Sequence, residues 1–169
     1  MSNTIFLIGF MGSGKTTVGK KLSAKLGLQL VDLDAAIEQR EGAYIRDIIA
    51  DRGEPHFRAV EAETLRQLDF SSKVISTGGG TPCFFDSMAW MKANGVVVYI
   101  EMDEAALFSR LKTTNLANRP LLMGLDDDGL KAFIHTKLAE RLPIYTQADV
   151  RFNPIRESLD ELITKISLM

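Results

Sequence analysis

Gly9, Gly14, Lys15 and Thr16 stand at the spacing G-x-x-x-x-G-K-[ST], with a further glycine at Gly12. The chemistry of that spacing is the grip on a nucleoside triphosphate. Glycines let a loop turn its backbone N–H groups inward without Cβ clashes. A loop of this kind opening a helix makes an anion cradle. Gly12, Ser13 and Gly14 would wrap phosphate, and Lys15 would reach the β- and γ-phosphates. The Thr16 hydroxyl would ligate Mg2+, with Thr17 continuing the nucleotide-binding stretch. The bland alternative is a tight strand-to-helix turn without a ligand. The apolar run Ile5–Ile8 before the loop and the helical spacing after it supply the context a phosphate loop requires.

Other residues could supply an acceptor. Asp32 ends a short apolar run, where a carboxylate can hold Mg2+ through water. Asp103 is its rival, although a helix cap accounts for Asp103 well. Asp34 could orient or deprotonate an attacking hydroxyl, or cap the helix that follows. Gly78-Gly79-Gly80 follows a strand and would let a ligand approach the backbone closely, or be a plain loop. Arg58 and Glu61 lie one helical turn apart, as a site or as an intrahelical pair. Arg119 sits in a polar stretch, where a cation on a closing loop could neutralise a transferring phosphoryl group. Arg141 could bind an anion or favour its helix dipole.

Several residues offer no special chemistry. His56 and His135 have no partner at metal-ligand spacing. Asp126-Asp127-Asp128-Gly129 lacks both the guanine signature and the later ligands of a calcium loop. Cys83 is the one cysteine, so no internal disulfide forms, and it reads as a small buried residue. That fits a reducing compartment.

The elements that must position these groups follow from hydrophobic periodicity. Strands are expected at Thr4–Ile8, Gln29–Val31, Val74–Thr77, Val96–Ile100 and Val150–Phe152. Helices are expected at Lys15–Leu26, Ala35–Arg40, Tyr44–Leu68 with a break near Gly53-Glu54-Pro55, Pro82–Ala93, Asp103–Lys112, Gly129–Leu142 and Ser158–Ile166. Strands alternating with helices imply right-handed crossovers and a parallel sheet, with ligands at the carboxyl ends of its strands.

The 169 residues suit one domain, 1–169. A 46% apolar and 25% charged composition excludes a disordered chain, and a net charge of −2 argues against general nucleic-acid binding. No apolar run is long enough to span a bilayer, and the first lacks the features of a signal peptide. A cytoplasmic protein is expected, with no membrane partner.

Taken together, the chain resembles the shikimate kinases over essentially its whole length. The matching pieces are Gly9–Thr16, Asp32-Leu33-Asp34, Phe57-Arg58-x-x-Glu61, Gly78-Gly79-Gly80, Asn118-Arg119-Pro120-Leu121 and Arg141-x-x-x-Tyr145, in the family's order. The resemblance implies an α/β/α P-loop kinase with five parallel strands in order 2-3-1-4-5. It implies transfer of the ATP γ-phosphoryl group to the 3-hydroxyl of shikimate by a monomer using Mg2+. By motif, Lys15, Asp34 and Arg119 are catalytic, and Thr16 and Asp32 serve the metal. Asp34, Phe57, Arg58, Glu61, Gly78, Gly79, Gly80 and Arg141 meet shikimate. Arg110, Arg119, Asn153 and Pro154 join the phosphate loop around ATP. A shikimate-binding region at 33–61 and a mobile lid at 113–127 are expected. Rivals are a gluconate- or nucleoside-monophosphate-type kinase and a silent nucleotide-binding module.

Overall fold

The computed structural model describes residues 4–69, 71–114 and 122–169. Five strands, β1 Ile5–Ile8, β2 Gln29–Asp32, β3 Lys73–Ser76, β4 Val96–Ile100 and β5 Val150–Phe152, form one parallel sheet in order β2-β3-β1-β4-β5. The helices are α1 Lys15–Leu26, α2 Leu33–Glu41, α3 Ile45–Arg52, α4 Glu54–Gln67, α5 Ser87–Asn94, α6 Glu104–Thr113, α7 Asp127–Tyr145 and α8 Leu159–Ser167.

Alternation along β1 sorts the core into two layers. Ile5 and Leu7 point to a cluster with Val18 and Leu22 of α1 and Leu162 of α8. Phe6 and Ile8 point to a larger cluster built from α2 to α7. All of the central strands are buried on both faces, as helices on both sides of a parallel sheet require. The sheet order and the three layers agree with the expected fold.

The helix starts show why the residues near the site sit where they do. Asp32 caps α2, its Oδ1 accepting from the Ala35 N–H at 3.2 Å. The cap therefore belongs to Asp32 and not to Asp34, whose side chain is left for another use. Asp103 and Asp126 cap α6 and α7, and Ser158 with Glu161 forms a capping box on α8. Gly53 separates α3 from α4, with Pro55 in the first turn of α4.

One expected helix is corrected. Pro82–Ala93 is not continuous: a single 3-10 turn at Thr81–Cys83 is followed by Phe84–Asp86, and α5 begins only at Ser87. Phe85 and Asp86 have φ of 50° and 53°, which no right-handed helix accommodates. In the other direction α7 is longer than Gly129–Leu142 and carries Pro143 inside its last turn. Of the expected lid, 115–121 lie outside the described residues, including Arg119. Leu122 is buried.

Candidate active site

The phosphate loop is built by three glycines in backbone conformations that side chains rarely adopt: Gly9, Gly12 and Gly14 have φ of 145°, 78° and 97°. Gly14 caps α1 directly. Lys15 is buried and turns back over the loop, its Nζ donating to Gly9 O at 2.7 Å and Phe10 O at 2.9 Å. Thr16 and Thr17 face the cleft above the loop. Ser13 faces inward: its N–H donates to Phe10 O at 3.1 Å, and its buried hydroxyl has no partner among the described residues. Arg110 of α6 lies over the loop, with Nη1 3.5 Å from Gly12 O.

Across the cleft, the loop after β3 is pinned beside the phosphate loop. The Thr77 N–H and Oγ1 both donate to Leu7 O, at 3.1 and 3.0 Å. The Tyr145 hydroxyl donates to Gly79 O at 2.5 Å. Each glycine then abuts a different group. A Cβ on Gly78 would stand 3.2 Å from Asp34 Oδ1 and 3.0 Å from Glu61 Oε1. On Gly79 it would stand 3.1 Å from Arg141 Nη1 and 3.4 Å from the Met11 N–H nitrogen of the phosphate loop. On Gly80 it would stand 2.5 Å from Arg58 Nη2. Bare backbone is what lets four charged groups converge here.

Electrostatics distinguish these groups. Burial pushes the Asp34 carboxyl up to about 6, and the neighbouring carboxylates Asp32, Glu61 and Glu38 add to this while Lys15 opposes it. Glu61 is 1% exposed. Arg58 Nη1 donates to its Oε2 at 2.9 Å and Thr81 Oγ1 to its Oε1 at 2.6 Å. Arg58 also donates from Nε and Nη2 to Glu54 Oε1 at 3.2 and 3.1 Å. Arg141 lies over the Phe10 ring, 5.6 Å from its centroid. Burial raises the Tyr145 phenol well above its ordinary range, against the pull of Arg141. The half-buried Cys83 thiol is likewise raised by burial, with Arg141 and Arg58 opposing.

The cleft holds about 1270 Å3 and is lined by Gly12, Gly14, Lys15, Thr16, Thr17, Asp32, Asp34, Phe57, Arg58, Glu61, Gly78, Gly79, Gly80, Arg110 and Arg141. It thus gathers almost every residue singled out from the sequence. Asn153 and Pro154 do not line it. Asn153 Oδ1 accepts from the Ile155 N–H at 3.0 Å, and the Asn153 N–H donates to Glu157 at 2.8 Å. Those bonds commit Asn153 to its own turn, beside a separate hollow formed with Arg156 and Glu157. Thr81 escaped sequence reasoning, although its place directly after three glycines was a signal. Tyr44 and Glu38 also line the cleft, and nothing local marks either.

The arrangement pairs an anion cradle with a pocket holding one carboxylate of raised pKa and two guanidiniums. It suits phosphoryl transfer to a hydroxyl on a small carboxylate. Among the described residues no cluster of three or more metal-ligating side chains exists. A single carboxylate with a hydroxyl fits Mg2+, which is held largely by phosphate oxygens and water.

Comparison with known proteins gives the same reading. The family model described as "Shikimate kinase" matches residues 11–168. A shikimate kinase of Parabacteroides distasonis is 44% identical over 150 residues, covering 88% of this chain and 86% of its own. The crystal structure of shikimate kinase from Bacteroides thetaiotaomicron superposes with a TM-score of 0.86 at 40% identity, covering 98% of this chain and 94% of that one. Shikimate kinase from Acinetobacter baumannii, solved in complex with shikimate, gives 0.83 at 33% identity, over 97% and 90%.

Proposed function

The chain belongs to the shikimate kinase family, and from that premise we propose how its own residues transfer the ATP γ-phosphoryl group to the 3-hydroxyl of shikimate. The reaction serves aromatic amino acid biosynthesis. The observation that carries the assignment of roles is the triple glycine, against which Asp34, Arg141 and Arg58 each rest while Gly79 faces the phosphate loop.

Arg58 and Arg141 hold the shikimate carboxylate, since paired guanidiniums fix both its charge and its orientation. The bare backbone of Gly78 to Gly80 lets the ring lie close, against Phe57. Glu61 acts through Arg58, which it holds by a buried ion pair. The region 33–61 thereby supplies most of the acceptor side. Asp34 faces the hydroxyl and accepts its proton on a carboxylate oxygen as the hydroxyl attacks; its raised pKa suits that transfer.

On the donor side, the backbone of Gly12 to Gly14 and the first turn of α1 wrap the phosphates. Lys15 exchanges its carbonyl partners for the transferring group. Arg110 packs beside the nucleotide base; the assignment of Asn153 and Pro154 to the same base rests on their motif, since neither lines the cleft. Arg119 adds a second cation at the transferring phosphoryl group, an assignment that rests on its motif. Thr16 and Asp32 would hold Mg2+, which neutralises phosphate charge when bound with ATP. Positioning and charge neutralisation therefore carry most of the rate. The lone cysteine supports a cytoplasmic location.

ADP release from Mg·ATP tests this reading, measured with shikimate, gluconate and nucleoside monophosphates in parallel. Shikimate alone should stimulate it strongly, giving shikimate 3-phosphate. Stimulation by gluconate instead, or by none, would overturn it.

A further inference from the structure

The sequence between the triple glycine and α5 does something costly. Phe85 and Asp86 both adopt positive φ, at 50° and 53°, and Phe85 is a bulky residue for which that region is a true outlier. Such conformations persist only where the surroundings over-determine them. Here the surroundings do so. Arg66 of α4 donates from Nη2 to Phe85 O at 2.5 Å and from Nη1 to Ala62 O at 2.9 Å, with its guanidinium over the Trp90 ring at 5.8 Å. The Trp90 N–H donates to Asp86 O at 3.0 Å, and the Ser87 N–H to Phe84 O at 3.0 Å.

The strain is not repaid by burying Phe85, whose side chain is left 57% exposed. Its product lies one residue earlier. The Phe84 ring is carried to 4.6 Å from the Arg58 guanidinium carbon, closer than the Phe57 ring at 5.0 Å. With the Gly80 backbone also against the guanidinium and Glu54 and Glu61 bonded to it, Arg58 has few other positions to take. Phe84 is not among the cleft-lining residues and meets the site at Arg58.

We propose that Phe84, set by the turn that Arg66 fastens, is a positioning residue for Arg58: its ring holds the guanidinium where a substrate carboxylate is received. The inference rests on the reading that Arg58 binds the shikimate carboxylate. A cation over an aromatic face loses little mobility on taking up an anion, because the ordering is complete before binding.

Five proteins test it: the parent, Phe84→Leu, Phe84→Tyr, Arg58→Ala, and Phe84→Leu placed in the Arg58→Ala background. Steady-state KM for shikimate, KM for ATP and kcat are read for each. Phe84→Leu keeps apolar volume at a 38% exposed site, so folding is retained. It should raise the shikimate KM by about 3- to 10-fold with kcat and the ATP KM unchanged, the size expected for one cation–π contact. Phe84→Tyr should restore the parent KM, and Phe84→Leu should add nothing once Arg58 is gone. Packing loss alone would change stability without this split. An Arg58→Ala protein with parental shikimate KM would overturn the carboxylate reading and the inference with it. A large effect of Arg58→Ala beside no effect of Phe84→Leu would overturn the inference alone.

Discussion

Asp34 shows the cost that a reactive group imposes on the folded state. Raising its carboxyl from the ordinary 3.8 to about 6 makes the protonated side chain the form that the unliganded protein favours, a preference that solvent weakens because Asp34 is exposed at the mouth of the cleft. Because the folded pKa is the higher one, the stability it contributes is fully present below pH 3.8 and is lost as pH rises through 6. Asp34→Asn should therefore raise the melting temperature of the free protein at pH 7. The advantage should shrink as pH falls toward 5, in paired thermal scans. The same substitution should abolish shikimate phosphorylation. In the parent, kcat/KM for shikimate should fall on the acid side with an apparent pKa near 6, since the free enzyme must present the carboxylate. Arg119 makes the opposite kind of residue-scale test. By analogy with arginine fingers, Arg119→Ala should lower kcat by ~10³ or more while leaving the shikimate KM near parental. A pure KM effect would remove it from the transferring phosphoryl group.

At the scale of elements, two glycine loops are bare for different reasons. Gly9 combines a φ of 145° with a backbone oxygen, Ile100 O, 2.7 Å from where a Cβ would stand. Neither can yield cheaply, so Gly9→Ala should destabilise the protein by several kcal/mol, about the cost of strain plus overpacking. Gly80 has an ordinary φ of −91°, and what a Cβ would meet is the side-chain end of Arg58 and not backbone. Displacing that end disturbs its pair with Glu61 but leaves the backbone alone, so Gly80→Ala should lower the melting temperature less than Gly9→Ala does and raise the shikimate KM as the guanidinium is pushed aside. Denaturation midpoints and kinetics on the same two variants separate fold from function. A loss of stability in Gly80→Ala comparable to that in Gly9→Ala would contradict the difference drawn between the loops.

The whole molecule divides its labour between the two faces of the sheet. The α1 and α8 face holds a smaller apolar cluster that includes Phe152. The face of α2 to α7 packs the helices whose side chains line most of the acceptor pocket. Leu162 on α8 and Leu65 on α4 are both fully buried. Either change to Ala should cost about 2–5 kcal/mol by the cavity it leaves. Only Leu65→Ala should also raise the shikimate KM, because α4 carries Phe57, Arg58 and Glu61. Equal shifts of KM in both variants would contradict the division.

What the amino-acid sequence determined alone was everything written in local periodicity and short-range chemistry. The phosphate loop, the exact span of α1, the strand Val96–Ile100 and the capping box at Ser158 depend on neighbours a few residues away. So does the parallel sheet, because alternating strands and helices leave few ways to bury both faces. The site residues were legible one motif at a time, and their expected roles came from the family resemblance and not from local chemistry. Asp34 could also have been a cap from its position alone, and the structure gives that bond to Asp32. Pro82–Ala93 had helical spacing, and a contact with Arg66 of α4, 19 residues before Phe85, fastens the turn in which Phe85 and Asp86 leave the helix. Thr81 on Glu61, Tyr145 on Gly79 and Phe84 on Arg58 are likewise contacts between distant segments. A chain encodes such contacts only through its packed form, since their energy exists once the sheet has brought both partners to one edge. The motif at Gly9 to Thr16 could say that phosphate is held; the tertiary structure put an acceptor pocket beside it.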